Sequence, residues 1–406
     1  MSSPLPPPAF ARGVRRTDAP ARAHYGRVFD VASCPWDENL FATAGEDETA
    51  RVWRDESGAG NGGRVVPHGV CRGHKDEVTR VAWHPTMRVL ASGSADGGVA
   101  VWKVAQPGFG EAANAHDPQE TSVARVDVLG PHAGEVYGLA FIGDTSGGSP
   151  VLATAAGTDL RLWDLETVTE LVCVAPVKHD LSGSDTAVNK TKNNPPNRWE
   201  PGYLFSLSSD SGKRNLLASG CSDGTVKLFG CDGGGSTASA VASIPNHPNA
   251  LAAATCFLPG GDLLASAGSD KTVVITDVRM SHRCVRKIHT PVVVMGLCAV
   301  PSGDDGGGWL AMVGSDGVVR CTPGEGGGKS AALRQFGDDE KNKTPVPLLC
   351  VASNKDGTAI FAAGSTHEAV ASPTKPTGGG PFSLGSIKGQ GTKKLEPAEI
   401  FIWQAR

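Results

Sequence analysis

No stretch of the sequence approaches the roughly 18 consecutive apolar residues of a membrane span. The opening residues MSSPLPPPAF lack the apolar core of a secretory signal. The ten cysteines, at positions 34, 71, 173, 221, 231, 256, 284, 298, 321 and 350, include no C-x-x-C pair. That excludes a zinc knuckle and a thioredoxin-like redox pair. Most sit in apolar runs such as GLCAV and PLLCV, where Cys acts as a small buried hydrophobe. These absences predict a cytoplasmic or nuclear protein with reduced thiols, in which the sequons at Asn189 and Asn342 are incidental. A basic excess is missing as well. Lys and Arg number 38 against 42 Asp and Glu, a formal net charge of −4, whereas a protein that lives on phosphate contacts carries clear positive charge. Charged residues, at 20%, are too few for a disordered polyelectrolyte, and 39% hydrophobic residues suffice for a core.

What the sequence has in excess is glycine, 53 of 406 residues or about 13%, against a usual ~7%. Such a bias supplies many tight turns. The turns recur. A phrase of small apolar residues, a turn with Gly and Asp, alternating residues and an aromatic reads LFATAGEDETARVW to Trp53 and VLASGSADGGVAVW to Trp102. It returns as VLATAAGTDLRLWD to Trp163 and Asp164, LLASGCSDGTVKLF to Phe229, LLASAGSDKTVVIT to Thr276 and LAMVGSDGVVRCT to Thr322. A split copy, IFAAGSTHEAV and EIFIW, ends at Trp403. Ahead of four copies a histidine precedes an apolar residue by four: His24 and Val28, His74 and Val78, His132 and Val136, His247 and Leu251. Alternating strands follow, as in VFDVASCP, VTRVAWHP and VYGLAFIG.

These units resemble WD repeats, the ~40–45-residue blades of a β-propeller. The resemblance covers nearly the whole chain, although only Trp163-Asp164 keeps the literal dipeptide. It implies an all-β, seven-bladed propeller. It also implies a structural hydrogen-bonded tetrad per blade, here His24, Thr43, Asp47 and Trp53, then His74, Ser92, Asp96 and Trp102. Blade 3 is one residue shorter in its turn and has no Asp at that spacing, and blades 5 and 6 carry Thr276 and Thr322 in place of Trp. Those blades are expected to lean more on apolar packing and to be softer. A recurring His, Ser and Asp could suggest a hydrolase triad. The set recurs in register without a G-x-S-x-G elbow, so a structural role is expected.

The seventh unit ends at Trp403, after its third strand, and a blade has four. The segment between about Phe10 and Ala23 is the strand to spare, so the ring is expected to close through the N-terminal segment. The expected layout is a disordered Pro-rich tail at 1–9 and one propeller over 10–406. Its blade cores lie near 24–56, 74–105, 132–175, 203–230, 247–279, 289–324 and 346–406. Loop insertions fall at 105–121, 176–201, 337–345 and 369–398.

In WD-repeat proteins, partner-contacting residues flank the first apolar position of the inner strand or precede the turn Asp. Carried over, this implies a rim of Arg27, Phe29, Glu46, Glu77, Thr79, Glu135, Tyr137, Tyr203 and Phe205. Aromatics offer rigid contact area and carboxylates favour Lys or Arg, so a basic peptide segment is the expected ligand. The alternative is that some of these aromatics pack between blades. The segment SDKTVVITDVR partly resembles the box by which some WD-repeat proteins dock onto the adaptor of cullin-RING ubiquitin ligases, through Asp270, Asp277 and Arg279, with Thr276 in place of Trp. Arg279, Arg283, Arg286 and Lys287 fall on the expected outer strand of blade 5, either as a solvated face or as a site for an acidic or phosphorylated partner. PGEGGGKS at 323–330 falls short of a phosphate-binding loop, since Pro323 takes the first Gly position and no βαβ unit surrounds it. Paired carboxylates, metal-ligand clusters and nucleophile motifs are absent outside the repeats, so no cofactor, metal or small-molecule substrate is expected. The expected function is a non-catalytic scaffold or adaptor that binds proteins or peptides. A ubiquitin-ligase substrate receptor is its special case, and a propeller enzyme or a nucleic-acid or chromatin binder is the less favoured alternative.

Overall fold

The computed structural model describes residues 14–15, 23–56, 65–105, 123–142, 151–174, 202–210, 214–232, 237–279, 282–302, 308–324, 330–334, 345–364 and 398–404. The Pro-rich segment 1–9 and the sequons lie outside these, as do nearly all of the four insertions. The described residues form strands and turns only, arranged as seven four-stranded antiparallel sheets.

The glycine-rich phrases become hairpins. In blade 1 the strands Val28–Ser33, Leu40–Gly45, Ala50–Asp55 and Val65–Cys71 pair in sequence order. The next five sheets repeat the scheme, their inner strands being Val78–Trp83, Val136–Ile142, Ser208–Ser209, Ala252–Phe257 and Val294–Pro301. In blade 4 the inner strand is short, but Leu204 extends it through a bridge to Cys221. Blade 7 pairs Leu348–Ser353, Ala359–Gly364 and Ile400–Gln404, and its outer strand is Val14–Arg15. Val14 faces Ile402 and Arg15 faces Phe401. The N-terminal segment therefore closes the ring, removing an edge that would otherwise stay unpaired.

Seven buried apolar clusters fill the molecule, one for each interface between neighbouring blades. Middle strands such as LFATAG and VLATAA are buried along their whole length because both faces of the blade are covered. At the closing interface Phe41 of blade 1 stacks on Phe361 of blade 7 at 4.9 Å. The strands on either side of PGEGGGKS, Val318–Pro323 and Ala331–Arg334, pair antiparallel in one sheet.

Two bulges recur. Inner strands shift register just after their first residue, so that Phe29, Thr79 and Tyr137 stand as extra residues between paired neighbours. Outer strands bulge opposite the Trp position, and there Val126, Val241 and Val285 point to solvent at 59%, 56% and 53% exposure. A bulge re-aims a side chain and blunts a sheet edge, so these valines belong to the edge geometry.

Candidate functional site

Each sequence unit begins with the outer strand of one blade and runs into the inner strand of the next, and its histidine lies in that crossing. In blade 1 the Trp53 indole donates to Thr43 Oγ1 at 2.8 Å. Thr43 Oγ1 meets His24 Nε2 at 2.8 Å, and His24 Nδ1 meets Asp47 Oδ1 at 2.8 Å. Thr49 and Arg51 also donate to Asp47. Burial pushes the Asp47 carboxyl up, but the His24 and Thr49 bonds and the Arg51 charge hold it well below the usual range. Burial keeps His24 below its ordinary value despite Asp47, so the ring stays neutral and the chain Trp–Thr–His–Asp can donate in one direction. Blade 2 repeats it: Trp102 to Ser92 at 2.8 Å, Ser92 to His74 at 2.8 Å, and His74 to Asp96 at 3.5 Å. The closer contacts in blades 1 and 5 depend on glycine. His24 lies against Gly45 and His247 against Gly268, and a Cβ at either position would collide with the imidazole.

Blade 3 has Trp163 donating to Thr154 at 2.9 Å and His132 Nε2 at 2.7 Å from the same oxygen. The missing Asp leaves His132 Nδ1 buried without a partner. Blade 5 corrects the expectation of mainly apolar packing. His247 joins Ser266 at 2.9 Å and Asp270 at 3.2 Å. The Asn246 amide reaches Ser266 at 3.0 Å and Thr276 at 3.1 Å, in place of an indole. Blade 6 has the apolar packing expected, with buried Met312 where blades 1 to 5 carry a hydroxyl. All these groups are internal, and each set works as a brace across its sheet.

The carried-over rim residues gather at one end of the ring, where inner strands begin. Arg27 is bound by Glu46 through its backbone N–H at 2.8 Å and its guanidinium at 3.1 Å, and it reaches Glu77 at 3.3 Å. Arg27 also lies 5.1 Å from the centre of the Phe29 ring. Tyr137 donates to Glu135 at 2.7 Å, and Tyr137, Tyr203 and Phe205 form a ring cluster with centroids 5.4 to 6.2 Å apart. Four blades thus contribute to one continuous surface. Its accessible part is smaller than the sequence suggested. Arg27, Phe29, Thr79, Tyr137 and Phe205 are buried, and at Phe29, Thr79 and Tyr137 the bulge turns the residue after the first apolar position into the gap between blades. Thr79 is spent on the carbonyls of Gly93 and Val136. Glu46, Glu77, Glu135 and Tyr203 remain half-exposed. Burial pushes the Glu77 carboxyl up to about 7; Arg27 opposes this, while Glu46, Asp76 and Glu135 add to it.

Sequence reasoning missed what lies beneath this rim. Arg80 donates to the carbonyls of Tyr137 at 2.8 Å, Phe205 at 3.1 Å and Thr79 at 3.1 Å, tying blades 2, 3 and 4 together. Asp30 accepts from Val81 N–H at 3.0 Å, joining blades 1 and 2, and burial raises its carboxyl. Both occupy the third position of an inner strand, Asp in VFD and Arg in VTR, where a charge among apolar residues was the available signal.

The ligase-adaptor residues are divided. Asp270 is held by His247 and Thr272 at the start of Thr272–Asp277, at the other end of that strand from Arg279, so it is not available for docking there. Arg279 lies in the turn before the outer strand, is 51% exposed, and pairs with Asp277 and Asp262. The outer strand proper, Arg283–His289, carries the exposed basic face. On that same end of the ring a cavity of about 400 Å³ is lined by Asp210, Phe257, Leu258, Pro259, Ala299 and Pro301. Among the described residues no group of three or more His, Cys, Asp or Glu is placed to hold a metal. Nor, among the described residues, is any helix long and apolar enough to cross a membrane.

Seven four-stranded sheets around a common centre, three of them braced by His–hydroxyl–Trp chains, define a β-propeller built from sequence repeats. The family model for the WD domain, G-beta repeat, matches residues 20–54, 66–103 and 238–277, so the chain carries WD repeats in a β-propeller fold. It is similar to the probable cytosolic iron-sulfur protein assembly protein Ciao1 of Culex quinquefasciatus, 45% identical over 80 residues, which are 20% of this chain and 22% of that protein. It is similar to the DDB1- and CUL4-associated factor 11 homolog of Caenorhabditis briggsae, 36% identical over 88 residues, 22% of this chain and 16% of that protein. A longer match, 26% identical over 282 residues, covers 64% of this chain and 56% of the ribosome biogenesis protein WDR12 homolog of Chlamydomonas reinhardtii. The chain thus spans little more than half the length of these relatives at most.

Proposed function

We propose that this protein is a non-catalytic interaction scaffold that holds a basic peptide segment of a partner on the face carrying Glu46, Glu77, Glu135 and Tyr203. The observation that supports this most is the convergence of those three carboxylates from three blades, with only Arg27 between two of them. Arg27 is itself saturated by Glu46 and Glu77, which leaves Glu135 and the outer side of Glu77 to receive a cation from a partner. The supports are rigid: buried aromatics below and the Arg80 brace beneath. Preorganisation of that kind lowers the cost of binding. A Glu77→Gln, Glu135→Gln double variant is expected to lose a Lys- and Arg-rich peptide by tenfold or more, about 1.4 kcal/mol, with an unchanged melting temperature. Equal binding by a folded double variant would move the site elsewhere.

A ubiquitin-ligase substrate receptor is the second reading. The likeness to a DDB1- and CUL4-associated factor homolog and the exposure of Arg279 favour it. Arg279→Ala would then abolish co-purification with the ligase adaptor; recovery of no adaptor by the intact protein would end this reading.

A further inference from the structure

The end of the ring opposite the Glu77 rim carries an arginine without an acceptor among the described residues. Arg88 precedes the strand Val89–Ser94, and Trp36 lies in the connection between Val28–Ser33 and Leu40–Gly45. The guanidinium carbon sits 4.8 Å from the centre of the Trp36 ring. Trp36 meets Trp83 edge-on at 5.6 Å, and the Trp83 indole is fixed by the Ala32 carbonyl at 3.0 Å. The chain beneath Arg88 is held too, since His84 Nδ1 accepts from the backbone N–H groups of Thr86 at 3.1 Å and Met87 at 2.8 Å. Yet Arg88 Nη1 and Trp36 Nε1 are both buried with no hydrogen-bond partner. Every other described arginine that is buried or half-buried donates to a carboxylate or a carbonyl, as Arg54 does to Asp37 at 3.0 Å and Arg286 to Pro323 at 3.1 Å. Burying donors that stay unpaired costs stability, and the attraction of the guanidinium for the indole face offsets this only in part. No carboxylate or carbonyl among the described residues bonds the rest of the Arg88 guanidinium, and a ligand can supply one.

We propose that the Trp36–Arg88 bay is a second binding site, which takes an aspartate or glutamate carboxylate from an acidic peptide segment of a partner protein. A stacked guanidinium is pre-oriented for a two-oxygen acceptor, and the fork of a carboxylate matches it. Charge favours a carboxylate over a phosphate dianion. Arg54 and Asp37 cancel, Lys103 is exposed beside Arg88 because Val104 N–H bonds the Arg88 carbonyl, and Glu38 is exposed on the Trp36 loop. The surplus is therefore about one positive charge. Trp36 and the exposed Met87 offer apolar surface to the rest of the peptide.

Indole N–H resonances of the isotope-labelled full chain test this, with Trp36→Phe assigning the Trp36 signal among the eight tryptophans. The probes are a capped Leu-Glu-Glu-Leu peptide, its Leu-Lys-Lys-Leu counterpart and inorganic phosphate. The Glu peptide is expected to move the Trp36 signal saturably, the Lys peptide to leave it in place, and Arg88→Lys to weaken the response tenfold or more by loss of the bidentate fork. The remaining seven signals report that the variant is folded, and Arg88→Gln serves where Arg88→Lys disturbs them. No movement with the Glu peptide up to about 10 mM, an equal response in a folded variant, or a response to phosphate alone would each overturn the proposal.

Discussion

The side-chain amide of Asn246 donates to Ser266 Oγ at 3.0 Å, the bond that an indole makes in blades 1, 2 and 3. Its second bond, to Thr276 Oγ1 at 3.1 Å, reaches the residue that stands in the Trp position. Two small polar residues, Asn246 in the connection after Ala238–Ile244 and Thr276 on Thr272–Asp277, thus replace one large one, and the chain to His247 and Asp270 stays complete.

Asn246→Ala should therefore destabilise the protein as much as loss of a tetrad member in blade 2. It strands the buried Thr276 hydroxyl and takes one of two partners from Ser266, which keeps His247, at a cost of about 1–3 kcal/mol. Asp96→Ala, which removes the acceptor of the Lys75 and Gly98 N–H groups, should cost a similar amount. Urea unfolding of both variants measures this. An Asn246→Ala protein as stable as the parent would show that the amide contributes nothing.

Why was the Asn246 role hidden while the blade 1 and 2 tetrads were legible? His24, Thr43, Asp47 and Trp53 keep fixed spacings along one repeat, and spacing is what a sequence displays. Asn246 matters only because Thr276, thirty residues on, leaves room across the sheet, and that is a property of packing. The closing strand was legible for a similar reason to the tetrads: counting strands exposed the one missing from blade 7. The rim was legible in position but not in accessibility. The bulges at Phe29, Thr79 and Tyr137 have no residue signature of their own, and they decide that the side chains turn inward.

Blade 7 offers the opposite case. Trp403 is buried, but Ala362 occupies the position of Thr43 and Ser92, so the Trp403 indole N–H has no acceptor among the described residues. Ala362→Ser should supply one in a site already shaped by the same register. The expected gain is about 0.5–1.5 kcal/mol, read as a raised urea midpoint. A loss of stability instead would mean that the added oxygen is overpacked.

Ring closure predicts a sharp boundary for truncation. Removing residues 1–22 takes away Val14–Arg15 and exposes the edge of Ile400–Gln404, so the melting temperature should fall by several degrees. Removing residues 1–8 leaves the pairing intact and should leave the melting temperature unchanged. Equal melting of the two truncated proteins would show that the outer strand of blade 7 adds no stability.

His132 makes stability depend on mild acid. Burial, aided by the Arg161 charge, brings its pKa down to about 4, from an ordinary 6.5. Between those values the unfolded chain binds a proton that the folded chain refuses, so stability rises with pH across the window. The full contribution is present above about pH 6.5 and is lost progressively as pH falls toward 4. Burial lowers His84 to about 4 as well, so it shares the window. His24, His74 and His247 are also held low by burial, but each has an aspartate opposing the shift, and His132 has none. His132→Gln keeps a polar group beside Thr154 and cannot titrate. The difference in urea midpoint between roughly pH 7 and pH 4.5 should shrink in this variant without vanishing, because His84 remains. An unchanged difference would mean that His132 accepts its proton inside the folded blade, with Nδ1 reached by water.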